Sequence, residues 1–130
     1  MDRSDDWLGQ GRAELAAARD LFAAGHWAWC CFTSQQAAEK ALKGALEHFR
    51  AGRPGHNLNE LRQALEVHAT VPTPIQEACA RLNRHYIPTR YPDAFPSGMP
   101  VAQFFEPDAR EALADAEEVI RFVESTLGSP

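Results

Sequence analysis

Prolines occupy every fourth position from Pro88 to Pro100, within the stretch "RLNRHYIPTRYPDAFPSGMPVAQFFEP" at residues 81–107. Each proline lacks a backbone N–H and restricts the residue before it, so an α-helix cannot run through 87–105. The first eleven residues of the stretch carry three arginines, one histidine and two tyrosines. Irregular segments of this length are uncommon and are usually either functional or disordered. We therefore predict a long non-helical connection that carries cationic and aromatic side chains.

The rest of the chain has the period of α-helices. Apolar and small side chains recur at spacings of three and four, and no run alternates as a strand would. Asn57 and Thr73 are predicted to cap the third and fourth helices. We predict five helices that begin near Ser4–Asp6, His26, Asn57, Thr73 and Pro107, and end near Gly25, Arg50, Thr70, Tyr86 and Gly128. The predicted fold is all-α: an antiparallel four-helix up-and-down bundle with a short additional helix and a Pro-rich loop before the last helix.

Composition bounds the class of protein. The chain of 130 residues suffices for one domain, residues 1–130, with one hydrophobic core. A net charge of −5 argues against broad nonspecific nucleic-acid binding, although it permits a local cationic pocket. The N-terminus is acidic and lacks an apolar run, and no window is long enough to span a bilayer. We therefore expect a cytoplasmic protein with no membrane partner.

No metal or cofactor is expected from the motifs. No Asp, Glu and His set has metal-ligand spacing, and no glycine-rich phosphate loop is present. The three cysteines form neither a disulfide framework nor a zinc motif, so we predict free, buried thiols. Glu39 and Lys40 are interpreted as a solvated pair, and His56 as an anchor for the loop before the third helix.

The second helix has apolar or small residues on more than one face. One stripe contains Trp27, Cys30 and Ser34 and continues through alanines, while Trp29 and Phe32 lie off it. A helix that is apolar most of the way round is buried by more than one neighbour. This pattern predicts a homodimer.

Two groups of residues are candidates for a site. Arg81, Arg84 and His85 lie at i, i+3 and i+4, so a helix would present them on one face to a phosphate. The alternative is that cations collect at a helix C-terminus because the helix dipole favours them.

The second candidate group is "RYPDA". Arg90 and Tyr91 are able to clamp a nucleotide by phosphate pairing and base stacking. Alternatively, Asp93 locks Arg90 in an ion pair, which would make the motif structural. Both interpretations stay open at this point.

Two segments together resemble a known family. The pairing of "CCFTSQQAAEKALKGAL" on the second helix with "HYIPTRYPDA" after the fourth is similar to the HEPN domains of bacteria and archaea. The resemblance covers Trp7 to about Leu127 and implies a small helical bundle, often dimeric and often encoded beside a minimal nucleotidyltransferase. It also implies nucleotide binding, or metal-independent ribonuclease activity through an R-x(4–6)-H motif. Arg81 and His85 have only three residues between them, which departs from that motif.

The resemblance and the residues together predict a non-enzymatic protein that binds a nucleotide or RNA. Its ligand would contact Arg90, Tyr91, Asp93 and Tyr86, and it would act with a nucleotidyltransferase in a toxin–antitoxin module. Either tyrosine is also a candidate for adenylylation by that partner. One alternative is a metal-independent endoribonuclease toxin, with His85 as the catalytic group beside Arg81, Arg84 or Arg90. Another is a non-catalytic dimeric interaction scaffold.

Overall fold

The structure is a computed structural model, and it describes residues 2–128. Within that range there are five α-helices and no strand. The helices are α1 (Ser4–Ala23), α2 (Trp27–His48), α3 (Leu58–Glu66), α4 (Thr73–Asn83) and α5 (Glu106–Thr126). Two short 3-10 helices, Pro92–Ala94 and Pro100–Gln103, lie in the Pro-rich connection, which contains no α-helix. The predicted all-α bundle is confirmed.

The three long helices run side by side, and α1 is antiparallel to the other two. The residues Ala24–His26 join α1 to α2 in a tight turn, and Gly25 has the positive φ of 80° that this turn requires. Arg12 and Arg19 of α1 reach Glu124 and Glu117 of α5, respectively, so these two helices are antiparallel. It follows that α2 and α5 run in the same direction.

Glycines let α1 and α2 approach closely. A Cβ at Gly11 would lie 3.0 Å from the backbone oxygen of Ala37, and one at Gly44 would lie 3.1 Å from that of Ser4. Gly11 is on α1 and Gly44 is on α2, so each helix has one residue without a side chain that faces the backbone of the other helix. This packing fixes the position of α2 against α1.

The second helix is the centre of the bundle. It packs against all four other helices of its own chain, and its residues Ala37, Ala38, Ala41 and Ala45 have no exposed surface. Its burial on several faces is therefore satisfied within one chain. The apolar pattern of α2 thus gives no independent argument for a dimer.

Helix ends follow the predictions with three exceptions, one of which is that α3 ends at Glu66 and not near Thr70. Asn57 caps α3 as predicted, because its Oδ1 accepts the backbone N–H groups of Asn59 and Glu60 at 3.0 and 3.2 Å. The prediction that Thr73 caps α4 is wrong, since the cap position is Pro72 and Thr73 is already helical. The fourth helix also ends at Asn83 and not near Tyr86, and turns follow it up to residue 90.

The core contains the predicted free thiols. Cys30, Cys31 and Cys79 are unpaired and buried. Burial raises the pKa of Cys31 and of Cys79 to about 12, because a thiolate is poorly solvated there. Among the described residues, no helix is both long and apolar enough to cross a membrane.

Candidate functional site

A buried carboxylate lies where α2 meets the loop before α3. Glu39 is only 1% exposed, although it was expected to be solvated. His56 Nδ1 lies 3.0 and 3.1 Å from the two carboxylate oxygens, and Lys43 Nζ donates to Oε2 at 3.2 Å. A buried charge is tolerated when it is paired and hydrogen-bonded in this way. The solvated Glu39–Lys40 pair is therefore wrong, and Lys40 pairs instead with Glu14 of α1.

The His56 ring is held in a defined orientation. Its Nδ1 donates to Glu39, because a carboxylate only accepts, and this assigns the proton to Nδ1 in the neutral ring. The ring stacks on Tyr86 with centroids 4.7 Å apart and planes 14° apart. Gln35 Nε2 fixes the backbone by donating to the His56 carbonyl at 3.2 Å. No group within residues 2–128 bonds Nε2, and the side chain is 53% exposed.

Arg90 lies among aromatic rings and does not pair with Asp93. Its guanidinium carbon is 4.3, 4.7 and 5.0 Å from the ring centroids of Phe32, Tyr86 and Tyr91, respectively. Its Nε and Nη2 donate to the Tyr86 carbonyl at 3.0 and 2.9 Å. In the part of the chain that the structure describes, no carboxylate lies within 4 Å of this guanidinium, so the Arg90–Asp93 ion pair is not formed.

These contacts define an Arg90 cluster, made of Trp29, Phe32, Tyr86, Arg90 and Tyr91. Trp29 joins it through an edge contact with Phe32, with centroids 6.2 Å apart. Trp29 and Tyr91 are each 46% exposed, so the cluster presents two large rings to solvent. Cation–π contacts of this kind hold aromatic planes in place, which reduces the entropy lost when they bind a flat ligand.

A groove of about 370 Å³ borders the cluster, and its walls include His56, Asn83, Arg84, Tyr86 and Ile87. Arg84 is exposed, and no carboxylate of residues 2–128 lies within 4 Å of it. The groove thus combines an available guanidinium, a stacked His–Tyr pair and the amide of Asn83. These are the groups that bind phosphate and aromatic bases.

The structure separates the predicted triad of Arg81, Arg84 and His85. Arg81 turns to α5, where its Nε and Nη2 donate to the two oxygens of Asp115 at 2.9 Å each. His85 is partly buried against Phe104, with ring centroids 5.7 Å apart, and its Nδ1 has no bonding partner within residues 2–128. Burial lowers the pKa of His85, which favours the neutral ring. Only Arg84 of the three lines the groove.

Of the other predicted contacts, Tyr86, Arg90 and Tyr91 come together, whereas Asp93 is an exposed residue of the short 3-10 helix Pro92–Ala94. No group of three His, Cys, Asp or Glu residues within 2–128 is arranged to hold a metal ion. The residues that sequence reasoning missed are Glu39 and His56. A signal for Glu39 was available, because it lies three residues before Leu42 and seven before Leu46, on their buried stripe.

A family model and several solved structures match this chain over nearly its whole length. A family model described as HEPN domain matches residues 4–126. The crystal structure of TT1696 from Thermus thermophilus is 40% identical with a TM-score of 0.93, covering 97% of this chain and 99% of that one. No curated protein sequence gives a significant match.

Two further solved structures are similar. ST0689, described as an archaeal HEPN homologue, is 32% identical with a TM-score of 0.83, covering 98% of this chain and 99% of that one. A HEPN domain protein of Thermotoga maritima, TM0613, is 27% identical with a TM-score of 0.78, covering 95% and 98%. In each case the similarity extends over the complete bundle.

Proposed function

Since the chain belongs to the HEPN domain family, we propose that it binds a nucleotide or a short RNA segment in the groove beside the Arg90 cluster. The observation that carries this proposal is the combination of an available Arg84 guanidinium with exposed, immobilised aromatic rings. Arg84 supplies the charge-assisted bond to a phosphate. The rings of Tyr91 and Trp29 supply stacking surfaces for bases.

The geometry changes the role that Arg90 has in this proposal. Its Nε and one Nη2 hydrogen are occupied by the Tyr86 carbonyl, so Arg90 mainly positions the rings of the cluster. Arg84 then becomes the main phosphate contact, with Tyr91 and Tyr86 as base contacts. Asp93 is retained only as a residue near the rim that is available to a ribose hydroxyl.

The wider setting of the proposal is that of the family resemblance. We propose that residues 1–130 act as one cytoplasmic domain with a minimal nucleotidyltransferase as partner, in a toxin–antitoxin arrangement. A homodimer is also proposed from the family resemblance, with Trp29 and Tyr91 left open to the ligand. Tyr91 is the more accessible tyrosine for adenylylation by the partner.

Titration calorimetry with ATP and with a short single-stranded RNA tests the binding site. Arg84→Ala should weaken binding about tenfold by removing a charge-assisted bond. Tyr91→Ala should weaken it by a similar factor through loss of stacking.

Two exposed residues elsewhere provide matched controls. Arg121→Ala removes an exposed arginine of α5, and Phe105→Ala removes an aromatic side chain that is 64% exposed. Affinity that is unchanged in Arg84→Ala and Tyr91→Ala, or reduced equally in the two controls, would refute the proposed site.

The Glu39–His56 pair favours a second candidate, metal-independent RNA cleavage. The lone pair of His56 Nε2 would accept the proton of a ribose 2′-hydroxyl while that oxygen attacks phosphorus. The bond to the 5′ oxygen then breaks, and the leaving oxygen takes a proton from water. Arg84 would stabilise the charge on the phosphorane, and Glu39 would stabilise the protonated imidazole.

This candidate competes with the sequence-based assignment of catalysis to His85. Cleavage of a short RNA should be lost in His56→Asn and kept in His85→Asn if His56 is the base. The opposite pattern would support His85 with Arg81 or Arg84. An absence of cleavage by the unaltered protein would leave binding as the function of the groove.

A further inference from the structure

A second cavity, of about 1150 Å³, lies where the end of α2 meets the beginning of α1. Its walls include Trp7, Lys43, His48, Arg50 and Arg53, none of which lines the groove. Three of these five side chains are permanent cations, in a chain whose net charge is −5. Lys43 is paired with Glu39, so Arg50 and Arg53 are the cations that this cavity offers, at a place separate from the proposed nucleotide site.

Two acidic residues share the wall, and the backbone donates a hydrogen bond to one of them. Asp2 Oδ1 accepts the backbone N–H of Ser4 at 2.8 Å, and this bond lowers the pKa of Asp2. Glu47 Oε2 lies 2.6 Å from the position that a Cβ would take at Gly52, so the carboxylate is folded onto that turn. Within residues 2–128, no carboxylate lies within 4 Å of either arginine of the cavity. Both guanidinium groups are thus available to an anion.

Arg50 occupies a backbone position that glycine normally fills. Its φ is +57°, and no other non-glycine residue within 2–128 has a positive φ. The N–H of Ala51 donates to the Leu46 carbonyl at 2.9 Å and that of Arg50 to Glu47 at 3.0 Å, which is the Schellman arrangement. A left-handed backbone is unfavourable for a residue with a Cβ. A strained residue of this kind, with its side chain in a cavity, points to a function for that side chain.

From the cavity, the available arginines and the strained Arg50, we infer a binding site for a phosphate-bearing small molecule. Arg50 and Arg53 donate to the phosphate oxygens, which a guanidinium matches with parallel N–H bonds. Lys43, which is paired with Glu39, contributes no free charge, but its Nζ lies 5.6 Å from the centroid of the Trp7 ring and holds that ring at the cavity wall. The volume exceeds what one phosphate needs, so the partly exposed Trp7 ring has room to contact the rest of the ligand.

Pyrophosphate is the probe for this site, titrated by calorimetry at low ionic strength where surface charges are least screened. Arg50→Gly should weaken binding about tenfold. The same substitution should raise Tm by about 3 °C, because glycine accepts the left-handed backbone. A substitution that lowers the affinity for pyrophosphate while it raises Tm is not expected at an arginine whose role is only structural.

Arg53→Ala, which leaves the strained turn unchanged, should also weaken pyrophosphate binding about tenfold. Arg121→Ala, which removes a distant exposed arginine, should bind normally, and Arg84→Ala serves to detect any pyrophosphate that binds in the groove. Failure of the unaltered protein to bind pyrophosphate at about millimolar concentration would overturn the inference. So would equal affinities of Arg50→Gly, Arg53→Ala and Arg121→Ala. Loss of binding only in Arg84→Ala would place the anion in the groove, which refutes this site and leaves the proposed function intact.

Discussion

The ion pair between Arg81 and Asp115 should be a main support of the contact between α4 and α5. Both hydrogen bonds are 2.9 Å long, and the Asp115 side chain is 9% exposed, whereas that of Arg81 is 37% exposed. Bonding to Asp115 raises the pKa of Arg81, so the guanidinium stays charged. Removing Arg81 would leave the nearly buried Asp115 carboxylate without its partner, and an unpaired buried charge strongly lowers the free energy of unfolding.

Arg81→Met keeps most of the aliphatic contact and deletes the charge. Loss of a fully buried partner costs about 3–5 kcal/mol, and partial exposure of Arg81 reduces this to about 2–3 kcal/mol. For a domain of this size, that loss lowers Tm by about 8 °C. Urea denaturation followed by circular dichroism measures the free energy of unfolding directly.

Arg121→Met is the matched control, because its contacts with Glu117 and Glu118 are exposed and should contribute less than about 1 kcal/mol. A double-mutant cycle with Asp115→Asn should give a coupling energy above about 1 kcal/mol, or roughly twice that of an exposed pair. Arg81→Met combined with Asp115→Leu should recover much of the stability, since no unpaired charge remains. If Arg81→Met costs no more than Arg121→Met, the assignment of Arg81 to a supporting role is refuted.

Three other predictions follow from burial and close packing. Gly44→Ala should lower the free energy of unfolding by about 1–2 kcal/mol, because its Cβ would lie 3.1 and 3.3 Å from backbone atoms of α1. Gly9→Ala, whose Cβ would have nothing within 4 Å, should raise the free energy of unfolding by about 0.5–1 kcal/mol. Equal effects of the two substitutions in urea denaturation would contradict the close packing. Burial lowers the pKa of His85, so this imidazole binds a proton more readily in the unfolded chain, and the free energy of unfolding should fall as the pH drops through about 6.5 towards the folded pKa. The pH dependence of the free energy of unfolding should be weaker in His85→Phe. A pKa of His85 at or above about 6.5 in an NMR titration of the folded protein would contradict this prediction. Cys31 and Cys79, with pKa values raised to about 12, should not react with Ellman's reagent at about pH 8 until the protein unfolds, and rapid reaction of the native protein would show that they are accessible.

The sequence predicts the helices because each one carries its own periodic pattern and its own end signals. Asn57 caps α3 through bonds to residues two and three positions away, which is a local interaction. The last turn of α4 makes a tertiary contact instead. Asn83 Oδ1 accepts the backbone N–H of Leu58 at 2.8 Å, which ties the last turn of α4 to the start of α3. No local pattern contains that bond, and helical spacing by itself extends the prediction to Tyr86.

The same reason explains how much of the candidate site is predictable. Tyr86, Arg90 and Tyr91 are close in sequence, and their side chains are also in contact in the folded structure. Spacing places Arg81 with His85, whereas the actual partner of Arg81 is on α5, 34 residues away. Glu39 looks solvated because it is charged, yet His56 and Lys43 compensate it inside the structure.

The close approach of α1 and α2 limits how this protein can change by substitution. Gly11 and Gly44 each face the backbone of the other helix, so a larger residue at either position cannot be accommodated by a rotamer change. Glu39 and Lys43 stand on α2 between these two points of contact, so a shift of α2 that relieved a clash would also displace both charges. The surface of α1 that carries Gly9 has no such restriction. Substitutions should therefore accumulate on the outer face of α1. At the contact between α1 and α2, only combined substitutions on both helices that keep the two backbones equally close should be tolerated.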